Sequence, residues 1–168
     1  MDQERMLLQA LMAGPLFAGI PSESILPLLT CLQAQKRRYN KGQVIFHAGE
    51  KTTKLGVVLQ GRVNTVCEDL FGNRAIIWSI GPNQLFCDAF SCTASQLLPV
   101  SIVTQCDSVV LMLEIDRILQ LCNQNCPDHQ RLMANLIPIL AEKYTTPIQK
   151  VVHLSGRTTR RKLLSYFS

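Results

Sequence analysis

Residues 42–81 read GQVIFHAGEKTTKLGVVLQGRVNTVCEDLFGNRAIIWSIG, and six of the chain's nine glycines fall inside this window, at 42, 49, 56, 61, 72 and 81. Between them lie short runs of strand formers, QVIF, LGVVLQ, RVNTVCE and AIIWSI. Runs of this length, cut every few residues by glycine, predict an antiparallel sandwich or barrel, because each strand can only reverse where the backbone is free to turn. QGRV at Gln60–Val63 and LFGNRA at Leu70–Ala75 carry the chemistry of tight turns, the second with Gly-Asn as its turning pair. SIVTQ and SVVLMLE add two more strands further on. About eight strands between Arg38 and Glu114 fit a mainly β fold with flanking helices, a double-stranded β-helix or jelly roll.

Helical patterns flank the strands. SESILPLLTCL places Ser22 as an expected N-cap, with Ile25, Leu28, Leu29 and Leu32 on one face. From Asp128 to about Leu154 the stripe of Leu132, Leu136, Ile139 or Leu140, and Val151 or Val152 predicts a long helix, suited to packing on the barrel or pairing with a second copy. Pro138 and Pro147 lie inside it and are expected to kink it. Gly156 then ends the helix, and TTRRKLLSYFS begins another amphipathic one. The expected segments are a helical part at 1–34, a barrel at 35–120, a long dimerisation helix at 121–154, and a hinge with the start of a further domain at 155–168.

Composition bounds the function. With 47% hydrophobic and 17% charged residues over 168 positions, the chain has the make-up of one globular domain. It lacks an apolar run long enough to cross a bilayer, and its first residues, MDQERMLLQALMAGP, make a poor signal peptide, so a cytoplasmic location and no membrane partner are expected. Seven cysteines at irregular spacing do not form a disulfide framework. The net charge of +5 is uneven: after Glu142 come Lys143, Lys150, Arg157, Arg160, Arg161 and Lys162 with no acid among them. A neutral body with a basic end points to a polyanion near the C-terminal side. The KRRYNK cluster (Lys36, Arg37, Arg38, Lys41) reads more simply as a solvated start of a strand.

Enzyme chemistry has little to work with. His47 is the single histidine of the strand region, too few for a cupin-type metal site, and no Walker loop, GxSxG or HExxH occurs. CNQNCPDH brings Cys122, Cys126 and His129 together at the start of the long helix. Thiolate and imidazole there are the basis of a rival expectation, redox or metal sensing through zinc, haem or an iron–sulfur cluster. The main expectation is that no cofactor and no catalytic residue is present.

The order of parts LFAGIPSESILPLL, RRYNKGQVIFHAGE, LGVVLQGRVNTV, GNRAIIWSIGPNQLF, CDSVVLMLEIDRIL and LAEKY…LSGRTTRRKLLSYF resembles the cyclic-AMP receptor protein and fumarate-nitrate regulator superfamily of bacterial transcription factors. The resemblance implies a cyclic-nucleotide-binding-like barrel that senses a small-molecule effector. It also implies homodimerisation through the long helix, a hinge at Leu154, Ser155, Gly156 and Arg157, and DNA contact only through a C-terminal winged helix. The sequence stops before that helix, as a sensor-domain fragment of such a regulator would.

In members that bind cyclic nucleotides, the cradle resembles a Gly-Glu pair followed by an Arg-Ser pair. Here Gly-Glu falls on Cys87-Asp88 and Arg-Ser on Pro99-Val100. Pro99 supplies no charge and no N–H, so a buried phosphate would lack its counter-charge at a cost of several kcal/mol. A cyclic nucleotide is therefore not the expected effector. The expected pocket for a less charged one comprises Phe86, Cys87, Asp88, Ala89, Leu98, Pro99, Val100 and Ser101, with Tyr144 of the long helix as a lid.

Overall fold

A computed structural model describes residues 2–69, 71–120 and 126–154. Cys122, and Ser155, Gly156 and Arg157 of the expected hinge, lie outside these residues.

Eight strands form two four-stranded antiparallel sheets. They are β1 (Gln35–Tyr39), β2 (Val44–Phe46), β3 (Lys54–Gln60), β4 (Val63–Glu68), β5 (Arg74–Ile80), β6 (Leu85–Phe86), β7 (Ser101–Thr104) and β8 (Ser108–Glu114). One sheet runs β1-β8-β3-β6 and the other β2-β7-β4-β5, the interleaving of a jelly roll. Helices α1 (Asp2–Met12) and α2 (Ser22–Cys31), with a 3-10 turn at Pro15–Phe17, precede the barrel. The short helices α3 (Asp88–Ser91) and α4 (Ile115–Leu119) interrupt and close it, and α5 (Pro127–Leu154) follows.

Two cores explain why β3 and β8 are apolar without interruption. Successive side chains of a strand face opposite ways. Leu55, Val57, Leu111 and Leu113 face outward and pack with Ile25, Leu28, Leu132 and Leu136 of the helices. Val58, Val110 and Met112 face inward and fill the barrel with Val63, Ile80, Phe86, Leu98 and Ile102. Both faces of this sheet are thus buried. β1, by contrast, is an edge strand, and Lys36, Arg37 and Arg38 stand exposed along it. Charge on an edge discourages pairing with another sheet, which accounts for this basic run without a polyanion.

Local chemistry departs from the sequence reading in three places. The N-cap of α2 is Pro21, with no side-chain cap, and the Ser22 hydroxyl instead donates to Glu23. The Gln60–Val63 turn is not a hairpin: it carries the chain from one sheet to the other, with Gly61 at φ +86° and the Arg62 N–H donating to Ser108 Oγ. In the β4–β5 hairpin Gly72 takes the left-handed position at φ +82°, but its organiser is Asp69, whose carboxylate accepts the N–H groups of Phe71 and Asn73. Helix α5 runs as one 28-residue element through Pro138 and Pro147, about 42 Å at 1.5 Å per residue. Two bonds from the Asn135 amide, to the carbonyls of Leu16 and Ala18, moor its first half to the 3-10 turn.

Candidate functional site

The cradle is built where β6 ends. Cys87 sits at φ +59°, the left-handed region that glycine enters freely and other residues at about 1–2 kcal/mol. That conformation starts α3 and turns the Asp88 carboxylate inward, where the residue is 1% exposed. A carboxylate so buried needs partners. It finds them on the long helix: Lys143 Nζ lies 2.9 and 2.8 Å from its two oxygens and also donates to the Leu85 carbonyl at 2.9 Å. The Tyr144 hydroxyl donates to Asp88 Oδ1 at 3.1 Å, and its ring meets Trp78 edge-on at 5.9 Å between centroids. Three groups 55 and 56 residues apart in sequence thus form one closed polar cluster tying α5 to the barrel.

Electrostatics follow from this closure. Burial, with the Asp88 charge and hydrogen bond behind it, raises the Tyr144 phenol well above its ordinary value, so it stays a donor. Burial first and Asp88 second also push the Cys87 thiol far up, leaving a protonated, unreactive sulfur.

The expected pocket residues divide. Phe86, Cys87 and Leu98 belong to the barrel core, with Val100 packed against it. Ser101 Oγ accepts the Ala48 N–H, and the Leu98 carbonyl accepts that of Gly49, so this side is occupied by the chain's own backbone. Ala89 is partly buried, and Pro99 is exposed. Sequence reasoning placed Tyr144 here but put Lys143 in the basic end. The signal that points to it is Asp88 itself, a lone acid in an apolar stretch that must meet a cation.

The thiol cluster is only partly described. His129 is 2% exposed and donates from Nε2 to the Ile118 carbonyl at 2.9 Å, while its Nδ1 has no hydrogen-bond partner among the described residues. Cys126 is half-buried, and no disulfide joins the described cysteines. No group of three or more metal-binding side chains occurs among the described residues. His47 is an exposed turn residue whose carbonyl accepts the Glu50 N–H.

Known proteins share this fold. The profile of the cyclic nucleotide-binding domain family matches residues 36–125. No curated protein matches the sequence. Among solved structures, the catabolite activator protein of Thermus thermophilus is 25% identical with a TM-score of 0.68, over 84% of this chain and 63% of that one. The chain therefore spans less than two thirds of that regulator. The sensor domain of the transcriptional regulator DNR from Pseudomonas aeruginosa is 16% identical (TM-score 0.65), over 95% of this chain and 99% of its own. The regulatory subunit of a cAMP-independent protein kinase A from Trypanosoma brucei is 18% identical (TM-score 0.61), over 86% and 48%. Among the described residues no helix is long and apolar enough to cross a membrane.

Proposed function

Because the chain belongs to the cyclic nucleotide-binding domain family, we propose that it is the effector-sensing and dimerisation part of a transcriptional regulator, and that its effector is not a cyclic nucleotide. One observation carries this: Lys143 and Tyr144 of α5 are lodged on the buried Asp88 of the cradle. In a cyclic-nucleotide binder the corresponding acid takes a ribose hydroxyl. Here the long helix supplies that partner itself. Anything that alters the cradle must alter the seating of α5, the element that leads toward residues 155–168. A sensor needs such a differential contact, since a ligand shifts an equilibrium only by binding one state better.

The outward face of α5 suits a second copy. Ala134, Ile137, Ala141 and Thr145 are exposed along it at helical spacing and uncharged, and Ile137 is 68% exposed. Paired helices would bury this stripe. Sedimentation of the purified chain is expected to show a dimer at micromolar concentration, and Ile137→Arg to shift it to monomer with an unchanged circular-dichroism spectrum. A monomeric wild-type chain, or a variant that still dimerises, contradicts the dimerisation part of the proposal.

A further inference from the structure

Beside the closed cradle, between α5 and the shoulder of the barrel, lies a cleft of about 390 Å³. This is within the size of small-molecule sites. Its walls are Pro15 of the 3-10 turn, Trp78 and Ile80 of β5, Leu85 of β6 and Ile139 of α5. Two of these walls adjoin the cradle cluster, the Leu85 carbonyl accepting from Lys143 and the Trp78 ring packing on Tyr144, while Asp88 itself does not line the cleft. Ile139 stands one helical turn before Lys143, so whatever fills the cleft presses on the turn of α5 that carries the cluster with Asp88.

The charges around it select a ligand class. The ammonium of Lys143 borders the cleft, but its contacts run to both Asp88 oxygens and to the Leu85 carbonyl. An anionic head group would have to take this cation from a carboxylate that is 1% exposed. Glu142 also borders the cleft and adds negative charge. A cation must leave water for walls that are mainly apolar. The amides of Asn83 and Gln84 and the Ser79 hydroxyl border it as well and offer neutral hydrogen bonding.

We propose that this cleft, and not the cradle, is the effector site, and that it takes a neutral, mainly apolar molecule with an aromatic ring to lie against Trp78. The inference deepens the sensor proposal and rests on it for the claim that occupancy matters. Its walls all come from one chain, so it does not depend on dimerisation.

Trp78 is the chain's single tryptophan, which makes the cleft its own reporter. N-phenyl-1-naphthylamine, a neutral aromatic dye that accepts energy from tryptophan, is the probe. Titrated into the intact chain, it is expected to bind saturably in the micromolar range, with Trp78 emission falling as dye emission rises. Ile139→Arg should weaken binding at least ten-fold while leaving the circular-dichroism spectrum unchanged. Ile139→Gln, a milder change to the same wall, should weaken it several-fold if the arginine variant does not fold. Trp78→Phe should abolish energy transfer but not the directly excited dye signal.

Non-saturable uptake overturns the proposal. So does binding that folded Ile139 variants leave unchanged, which would place the dye on exposed apolar side chains such as Phe71 and Ile76. Equal or tighter binding of the anionic analogue 1-anilino-8-naphthalenesulfonate overturns the assignment of a neutral ligand. A monomeric chain that binds the dye in the cleft would defeat the dimerisation proposal and leave this one standing.

Discussion

Replacing Lys143 by methionine is expected to destabilise the fold by about 3 kcal/mol. Removing one partner of a buried ion pair costs about 3–5 kcal/mol because the remaining charge is desolvated and uncompensated. The lower end applies here, since the Tyr144 hydroxyl still donates to Asp88. The pair is asymmetric: the Asp88 side chain is 1% exposed and that of Lys143 22%. Lys143 left alone can turn toward water, whereas Asp88 cannot. Asp88→Asn should therefore cost less than Lys143→Met, and the double variant should recover a large part of the loss. Urea denaturation of the four proteins checks this. A cost under about 1 kcal/mol for Lys143→Met, or single effects that simply add, would remove the coupling between barrel and helix on which the sensor proposal depends.

Gly56→Ala is expected to be at least as damaging, though it touches no charge. Gly56 lies in β3, hydrogen-bonded to β8 on one side and β6 on the other, so its backbone has no direction in which to retreat. A Cβ there would fall within the ring of Phe86, which is fully buried. Overpacking a core costs about 1–3 kcal/mol and sometimes more. At 2–4 °C per kcal/mol for a chain of this size, Tm should fall by about 10 °C. Phe86→Leu in the Gly56→Ala background should restore part of the loss, because the shorter side chain vacates the space. If the double variant is no better than Gly56→Ala, ring overlap is not the cause.

Glycine and strand patterning made the barrel legible, and the reason is geometric. Gly61 turns the chain between sheets at positive φ, in a place where a Cβ would strike Ser108 and the Asp107 carbonyl, so the residue type marks the position. Leu132 and Leu136 likewise announced the buried face of α5 through their spacing alone. The site was harder to read. Phe86 and Leu98 look the same in sequence whether they line a pocket or fill a core, and here they fill it. Lys143 was hidden among the basic residues of the C-terminal part, because the partner that buries it lies 55 residues earlier. Ser22 has the chemistry of a cap and the wrong offset, since the helix starts on it rather than after it. The cleft beside Trp78 is assembled from a 3-10 turn, two strands, a loop and a helix, and no local pattern announces such a meeting.

Asp88 is already satisfied by the chain's own Lys143 and Tyr144. Isothermal titration of cyclic AMP into the purified chain tests this most directly. With Lys143 and the acid already engaged on each other, no saturable heat is predicted up to millimolar nucleotide, a level that corresponds to less than about 4 kcal/mol of binding. Saturable binding at micromolar concentration would contradict it, showing that the nucleotide displaces the helix from Asp88 and that the cradle, not the cleft, is the sensor.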